Sequence, residues 1–199
     1  MAHFIPLEAK LRNIGFSLVA GVDEAGRGPM AGPVVSAMVI LKEGARLPGL
    51  DDSKKLTARN RERLYELILE NCIDYAVAIV SHLTIDKVNI ANATRLANKF
   101  CLEDINIKPD VVVFDGREKQ LINIPYMTVI KGDSKVKSVA AASVLAKVTR
   151  DKIMKYYAEK FKEYGFERHM GYGTRLHRSN IEKFGLCEIH RKSYSFKEK

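Results

Sequence analysis

The stretch FSLVAGVDEAGRGPMAGPVVSAMVIL, residues 16–41, decides the fold. FSLVAGVD and GPVVSAMVIL read as two strands, rich in valine and punctuated by glycine and proline. The connection between them is short, which predicts an antiparallel hairpin. The first strand ends in two adjacent carboxylates, Asp23 and Glu24. Gly21, Gly26, Gly28 and Gly32 surround them, and Arg27 stands between two of these glycines. A chain that places acids and an arginine where the backbone is so thin needs a reason to do so.

Working outward, LKEGARLPGLDDSKK (41–55) is a polar loop. TARNRERLYELILENC (57–72) reads as a helix capped by Thr57, with Leu64, Leu67 and Ile68 on one face. IDYAVAIVSHL (73–83) alternates like a strand. TIDKVNIANATRLANKFCLEDI (84–105) reads as one amphipathic helix, with Ile85, Val88, Ile90, Leu96, Phe100 and Leu102 as core positions. PDVVVFDG (109–116) and IPYMTVIKGD (124–133) are strands, each running into an aspartate. SVAAASVLAKVTRDKIMKYYAEKF (138–161) is the longest helix, and its alanine-rich start permits close packing. GYGTRLHRSNIEKFG (171–185) is a glycine turn followed by a further helix. The alternation of strands and helices predicts an α/β fold with a mixed central sheet.

Three acidic points share one placement. Asp23 follows FSLVAGV, Asp115 follows VVVF, and Asp133 follows MTVIKG. If those strands are neighbours, their ends lie about 5 Å apart from strand to strand. Counting Glu24, four carboxylates could then converge, and their mutual repulsion calls for protons or a cation. Oxygen ligands without matching His or Cys point to Mg²⁺ or Mn²⁺ rather than Zn²⁺. A pair of such ions about 3.5–4 Å apart suits in-line attack on phosphorus. Each acid also has a plainer role open to it. Asp115-Gly116 is an ordinary turn dipeptide, Asp133 could cap the long helix, and Asp23-Glu24 could be a solvated strand end. Asp52 reads as a loop acid, and Asp151 as the surface partner of Lys155 one helical turn on. The case for metal rests on the repeated strand-end placement.

Composition sets the class of partner. Apolar residues make up 46% of the 199-residue chain, enough for a single-domain core, and the net charge of +9 favours anionic partners, nucleic acid first. No apolar run approaches a membrane span, and the N-terminal residues do not follow a secretory layout. Cys72, Cys101 and Cys187 are widely spaced and odd in number, as expected of reduced cytoplasmic thiols.

GVDEAGRGPMAGPVV, DDSKKL, VVFDG, KGDSKVKSVAAASVLAKVTRD and GYGT, in this order, resemble the motifs of ribonuclease HII, the type 2 ribonuclease H, in its bacterial form. The resemblance spans residues 18–178. It implies a ribonuclease H-like fold, with residues 1–164 as the catalytic domain and 165–199 as a helical segment and basic tail packed on it. It implies endonucleolytic cleavage of RNA in RNA–DNA hybrids and at single ribonucleotides within duplex DNA, leaving 3′-hydroxyl and 5′-phosphate ends. Asp23, Glu24, Asp115 and Asp133 match the family's metal-binding catalytic acids. Gly26, Arg27 and Gly28 match the segment that reads the ribose 2′-hydroxyl, for which bare backbone can approach closely.

By the same resemblance, Tyr172 stacks on the sugar at the RNA-to-DNA junction, and Ser53 and Lys54 of DSKKL approach phosphate. Ser134, Lys135 and Ser143 fall in matched motifs as phosphate contacts or packing residues. His169 and His177 read as surface or capping residues, and the C-terminal basic segment as a grip on the duplex backbone. Mg²⁺ or Mn²⁺ is the expected cofactor, and a monomer the default state. Two rivals stand beside this reading. Another two-metal nuclease of similar fold, such as a junction resolvase, shares the acids but has no reason for the GRG segment. A non-catalytic nucleic-acid-binding module could use the glycine turn as a phosphate nest, although no P-loop pattern is present.

Overall fold

A five-stranded sheet with order β3-β2-β1-β4-β5 forms the centre of the computed structural model, which describes residues 4–196. Strands β1 (Val19–Ala25) and β2 (Val34–Leu41) form the antiparallel hairpin expected from the sequence. Strand β3 (Cys72–Val80) extends it on one side, also antiparallel. On the other side β4 (Val111–Asp115) lies parallel to β1, and β5 (Tyr126–Val129) parallel to β4. The sheet is therefore mixed, and its parallel half brings the acid-bearing strands together.

Helices cover both faces. On one, α6 (Lys137–Lys160) crosses β1 and β2, with α2 (Ala58–Asn71) beside it. Val35, Ala37 and Val39 of β2 meet Ala141, Val144 and Leu145 of α6 there. The alanines let helix and sheet approach, and Gly21 makes the approach closer still. A Cβ on Gly21 would lie 2.2 Å from the Ser138 backbone carbonyl carbon, so only glycine fits. The opposite face of β2, through Val34, Met38 and Ile40, packs on α4 (Ile90–Asp104). Strand β2 is buried along its whole length because both of its faces are covered.

The helix expected over 84–105 is two helices. Helix α3 (His82–Val88) ends at Asn89, whose φ of 66° breaks the run, and whose side chain caps α4 by accepting from the Asn92 N–H. The core face of α4 is carried by Ala93, Ala97 and Cys101, while Phe100 is largely exposed. Helix α1 (Leu7–Asn13) was not expected; a single buried leucine, Leu11, gives it too little periodicity to read. The chain finishes with short α7 (Phe166–His169) and α8 (Arg175–Phe184), the latter capped by Thr174. None of the helices among the described residues is long and apolar enough to cross a membrane.

Candidate active site

Parallel pairing delivers the first two acids. Val22 pairs with Phe114, so the next residues, Asp23 two positions before the end of β1 and Asp115 at the end of β4, stand side by side. Asp133 arrives differently. Strand β5 ends at Val129, and the chain then turns through Lys131, in left-handed conformation, into the one-turn helix α5 (Gly132–Lys135). That turn is tied to β4, because the Gly132 N–H donates to Asp115 Oδ1 at 2.6 Å. One carboxylate oxygen from each of Asp23, Asp115 and Asp133 lies within 4.8 Å of the other two. Glu24 is not in that group. Its Oε1 faces Arg27 Nη1 at 3.2 Å.

The electrostatics reflect this crowding. Burial, and then the charges of Glu24 and Asp115, hold the Asp23 carboxyl well above the usual carboxylate range, against hydrogen bonds from Ser143 and from the Glu24 backbone. Burial likewise raises Glu24, although Arg27 opposes it. Asp133 is raised by burial and by Asp115 and Asp52, with Lys54 pulling the other way. The Lys54 ammonium lies 3.5 Å from Asp133 Oδ2. Partial burial works against that ammonium, yet Asp133, Asp23 and Asp52 outweigh it and raise the Lys54 pKa.

Two clefts meet at Asp115. One, of about 410 Å³, is lined by Asp52, Lys54, Lys55, Lys131, Asp133 and Asp115. The other, of about 230 Å³, is lined by Glu24, Arg27, Arg95, Arg117, Glu118 and Asp115, among others. A buried polar chain supports its wall. Ser36 Oγ donates to Asn98 Oδ1 (2.6 Å), Asn98 Nδ2 to Gln120 Oε1 (2.9 Å), and Gln120 Nε2 to the Glu118 carbonyl (2.9 Å). Glu118 Oε1 in turn accepts from Arg27 Nη2 at 2.6 Å. Nothing in the local sequence GREKQ singled Glu118 out.

The glycine loop lies beside the expected tyrosine. A Cβ on the exposed Gly28 would lie 3.6 Å from Tyr172 Cε1 and near nothing else. Gly26 is buried, and its glycine identity has an internal cause. Its φ is +100°, and a Cβ there would come within 2.2 Å of Arg150 Nε. Tyr172 itself is 44% exposed.

Other positions differ from expectation. Ser53 does not face a cleft: it is buried, and its hydroxyl meets Ser143 Oγ at 2.8 Å, tying the lysine loop to α6. Ser134 and Lys135 take the packing alternative of their expected roles: they bond the Lys131 and Ile130 carbonyls and so close the turn after β5, and Ser134 also lines the larger cleft. Asp151 pairs with Lys147 (2.7 Å) and with Arg61 (3.7 Å) from α2, and Lys155 faces Glu62 instead. The approach of α2 decides that choice. His169 and His177 are not surface residues, although their rings do bond backbone groups of the turns beside them: the Gly171 N–H donates to His169 Nδ1 (3.2 Å), and His177 Nδ1 lies 3.0 Å from the Tyr172 carbonyl. Both are buried, with rings stacked at a centroid distance of 4.4 Å, because the C-terminal segment folds over them. Arg191, counted among the basic residues that grip the duplex, is fully buried. The tail residues 197–199 lie outside the described residues.

The model of the family described as Ribonuclease HII matches residues 20–198. A relative from Syntrophus aciditrophicus bearing that name is 46% identical over 197 residues, which covers 99% of this chain and 92% of the relative. Among solved structures, ribonuclease H2 from Pyrococcus horikoshii matches with a TM-score of 0.77 at 28% identity, covering 90% of this chain and 94% of that one. The PCNA:RNase HII complex from Archaeoglobus fulgidus matches with a TM-score of 0.76 at 27% identity, over 92% and 97%. Fold, clustered acids and near-complete coverage agree: the chain belongs to the ribonuclease HII family and is a ribonuclease H endonuclease.

Proposed function

We propose that this endonuclease cleaves the RNA strand of RNA–DNA hybrids and single ribonucleotides embedded in duplex DNA, leaving 3′-hydroxyl and 5′-phosphate ends. The observation that carries the reading is the convergence of Asp23, Asp115 and Asp133, from three separate segments, beside a glycine loop in reach of Tyr172. The donor set fits divalent cations. It is all carboxylate oxygen, it is crowded, and it is partly buried, so positive charge relieves a repulsion the fold has built in. Asp23, Asp115 and Asp133 would hold Mg²⁺ or Mn²⁺, with Glu24 at the margin. Bound there, the cation supplies positive charge at the scissile phosphate and acidifies the attacking water.

The chain's own residues do the rest. Lys54, on the rim of the larger cleft, offers a cation to the phosphate flanking the cut. Arg27, held between Glu24 and Glu118, sits at the second cleft with its guanidinium oriented before substrate arrives. The backbone of Arg27 and Gly28 meets the ribose, and Tyr172 stacks against the sugar of the following nucleotide. The contact between Gly28 and Tyr172 favours ribose reading over a junction resolvase, which needs no such pair. Free Cys72, Cys101 and Cys187 suit a reducing, cytoplasmic setting, and the protein works as a monomer.

The test is a DNA duplex carrying one ribonucleotide, incubated with and without divalent metal, with the cut position mapped. Metal-dependent scission on the 5′ side of the ribonucleotide phosphate bond or at the RNA–DNA step supports the reading. Equal cleavage of an all-DNA duplex or junction refutes it.

A further inference from the structure

Two arginines are fully buried, and no acidic side chain among the described residues pairs with either. Burial pushes Arg150 down to about 10 and lowers Arg191 as well. A buried guanidinium is costly unless its N–H groups find acceptors. Here the acceptors are backbone carbonyls, all of them in the loop between β1 and β2 except that of Met170. Arg191 donates from Nη2 to the Gly26 carbonyl (2.6 Å) and the Pro33 carbonyl (3.1 Å), from Nη1 to the Arg27 carbonyl (3.0 Å), and from Nε to the Gly32 carbonyl (3.0 Å). Arg150 donates from Nε to the Pro33 carbonyl (3.0 Å), from Nη2 to the Ala31 carbonyl (3.1 Å) and from Nη1 to the Met170 carbonyl (3.0 Å). Tyr194 completes the cradle. Its hydroxyl donates to the Arg27 carbonyl at 2.7 Å and accepts from Arg191 Nη1 at 3.0 Å.

The consequence follows from peptide geometry. Every peptide bond described here is trans, so each N–H points opposite to the C=O of the same plane. The Gly26 carbonyl shares its plane with the Arg27 N–H, and the Arg27 carbonyl with the Gly28 N–H. Drawing both carbonyls inward onto Arg191 turns both N–H groups away from it. Among the described residues neither of those N–H groups has a hydrogen-bond partner, and Gly28 is exposed beside Tyr172. We propose that Arg191, assisted by Tyr194 and Arg150, is a positioning residue for ribose selection: it locks the 26–27 and 27–28 peptide planes so that two N–H groups face the 2′-hydroxyl. Arg191 thereby acts on specificity from inside the fold, without touching nucleic acid. Cation–π contact between Arg191 and the Tyr194 ring, 5.1 Å from the centroid, holds the pair together.

The inference rests on the reading of the glycine loop as the ribose sensor, and the experiment separates the two. Arg191→Met and Tyr194→Phe would be assayed for kcat/KM on a duplex with one ribonucleotide and, by fluorescence anisotropy, for affinity to the same duplex in all-deoxy form. The expected result is a drop in kcat/KM of about tenfold or more for Arg191→Met and about threefold for Tyr194→Phe, the scale of one or two weakened hydrogen bonds to the 2′-hydroxyl. All-DNA affinity and the metal concentration giving half-maximal rate stay within about twofold of the parent, since those hydrogen bonds involve only the 2′-hydroxyl. Arg191→Lys recovers part of the loss. Tyr194→Phe removes one hydroxyl and keeps the fold, so it decides the matter if Arg191→Met melts. Undiminished kcat/KM in folded Tyr194→Phe, or a parallel fall in all-DNA affinity, overturns the positioning role. A parent enzyme that cuts ribonucleotide-bearing and all-DNA duplexes alike overturns the underlying reading of the loop and this inference with it.

Discussion

Replacing Asp115 by Asn should make the metal-free protein more stable while destroying its activity. Asn keeps the shape and retains an Oδ1 for the Gly132 N–H, which lies 2.6 Å away. It removes the central charge of a cluster whose three oxygens lie within 4.8 Å of one another. Two unit charges that close repel by about 3 kcal/mol at an effective dielectric of about 20. Proton uptake by Asp23, which burial and its neighbours hold well above the usual range, already relieves part of this. A net gain of about 1–2 kcal/mol remains, or about 2–8 °C in Tm for a chain of this size. The assay is a thermal melt in chelator and again in excess Mg²⁺ or Mn²⁺. Metal at about one hundred times its Kd adds about 2.7 kcal/mol to the parent, and much less to the variant, so the order of stabilities reverses. Cleavage falls by about 10³-fold or more, some 4 kcal/mol of transition-state stabilisation. A variant that melts at or below the parent in chelator would show that the acids are not in electrostatic contact. Parental turnover would end the metal assignment.

Gly26 and Gly28 should separate fold from function. Gly26→Ala meets Arg150 at 2.2 Å with φ at +100° and should lose about 2–4 kcal/mol of stability by urea unfolding; Gly28→Ala, with its nearest neighbour at 3.6 Å, should melt within about 2 °C of the parent yet cleave poorly. Tyr172→Ala should blunt the preference for the RNA-to-DNA junction, read from the cleavage pattern of a hybrid, while leaving metal-dependent stabilisation unchanged. The buried histidines set a pH dependence. Desolvation lowers His177 from 6.5 to about 4, so the unfolded chain binds the proton that the native one refuses. Stability should therefore fall as pH drops from about 6.5 towards 4, by about 2–3 kcal/mol from this group. His177→Gln should flatten the slope of unfolding free energy in that window; an unchanged slope would show that His177 is solvated.

The strand-end position of Asp23 and Asp115 was legible because apolar runs ending in an acid are a local pattern. Whether those ends would meet was not, since adjacency of β1 and β4 arises from a parallel pairing across about ninety residues. Asp133 was expected at the end of a strand, yet it stands on a helical turn after β5 and is brought in by the Gly132 hydrogen bond. The buried arginines escaped notice for a plain reason. Arg150 lies among helical residues and Arg191 in a basic stretch, where a guanidinium normally faces solvent. His177 and Ser53 were misread likewise, because a polar residue in a glycine- or lysine-rich segment reads as surface until something packs over it.

By itself the sequence determined the class of fold, the hairpin and the basic character that suits nucleic acid, which follow from periodicity, local turn chemistry and composition, and it pointed to the acids through their place after apolar runs and their match to the family's motifs. Only the tertiary structure decided which carboxylates share a site, why Gly26 must be glycine, and that the C-terminal segment reaches back to hold the loop between β1 and β2. Those outcomes depend on contacts between residues distant in the chain, and side-chain burial, hydrogen-bond partners and mutual repulsion come into existence only when such residues are brought together.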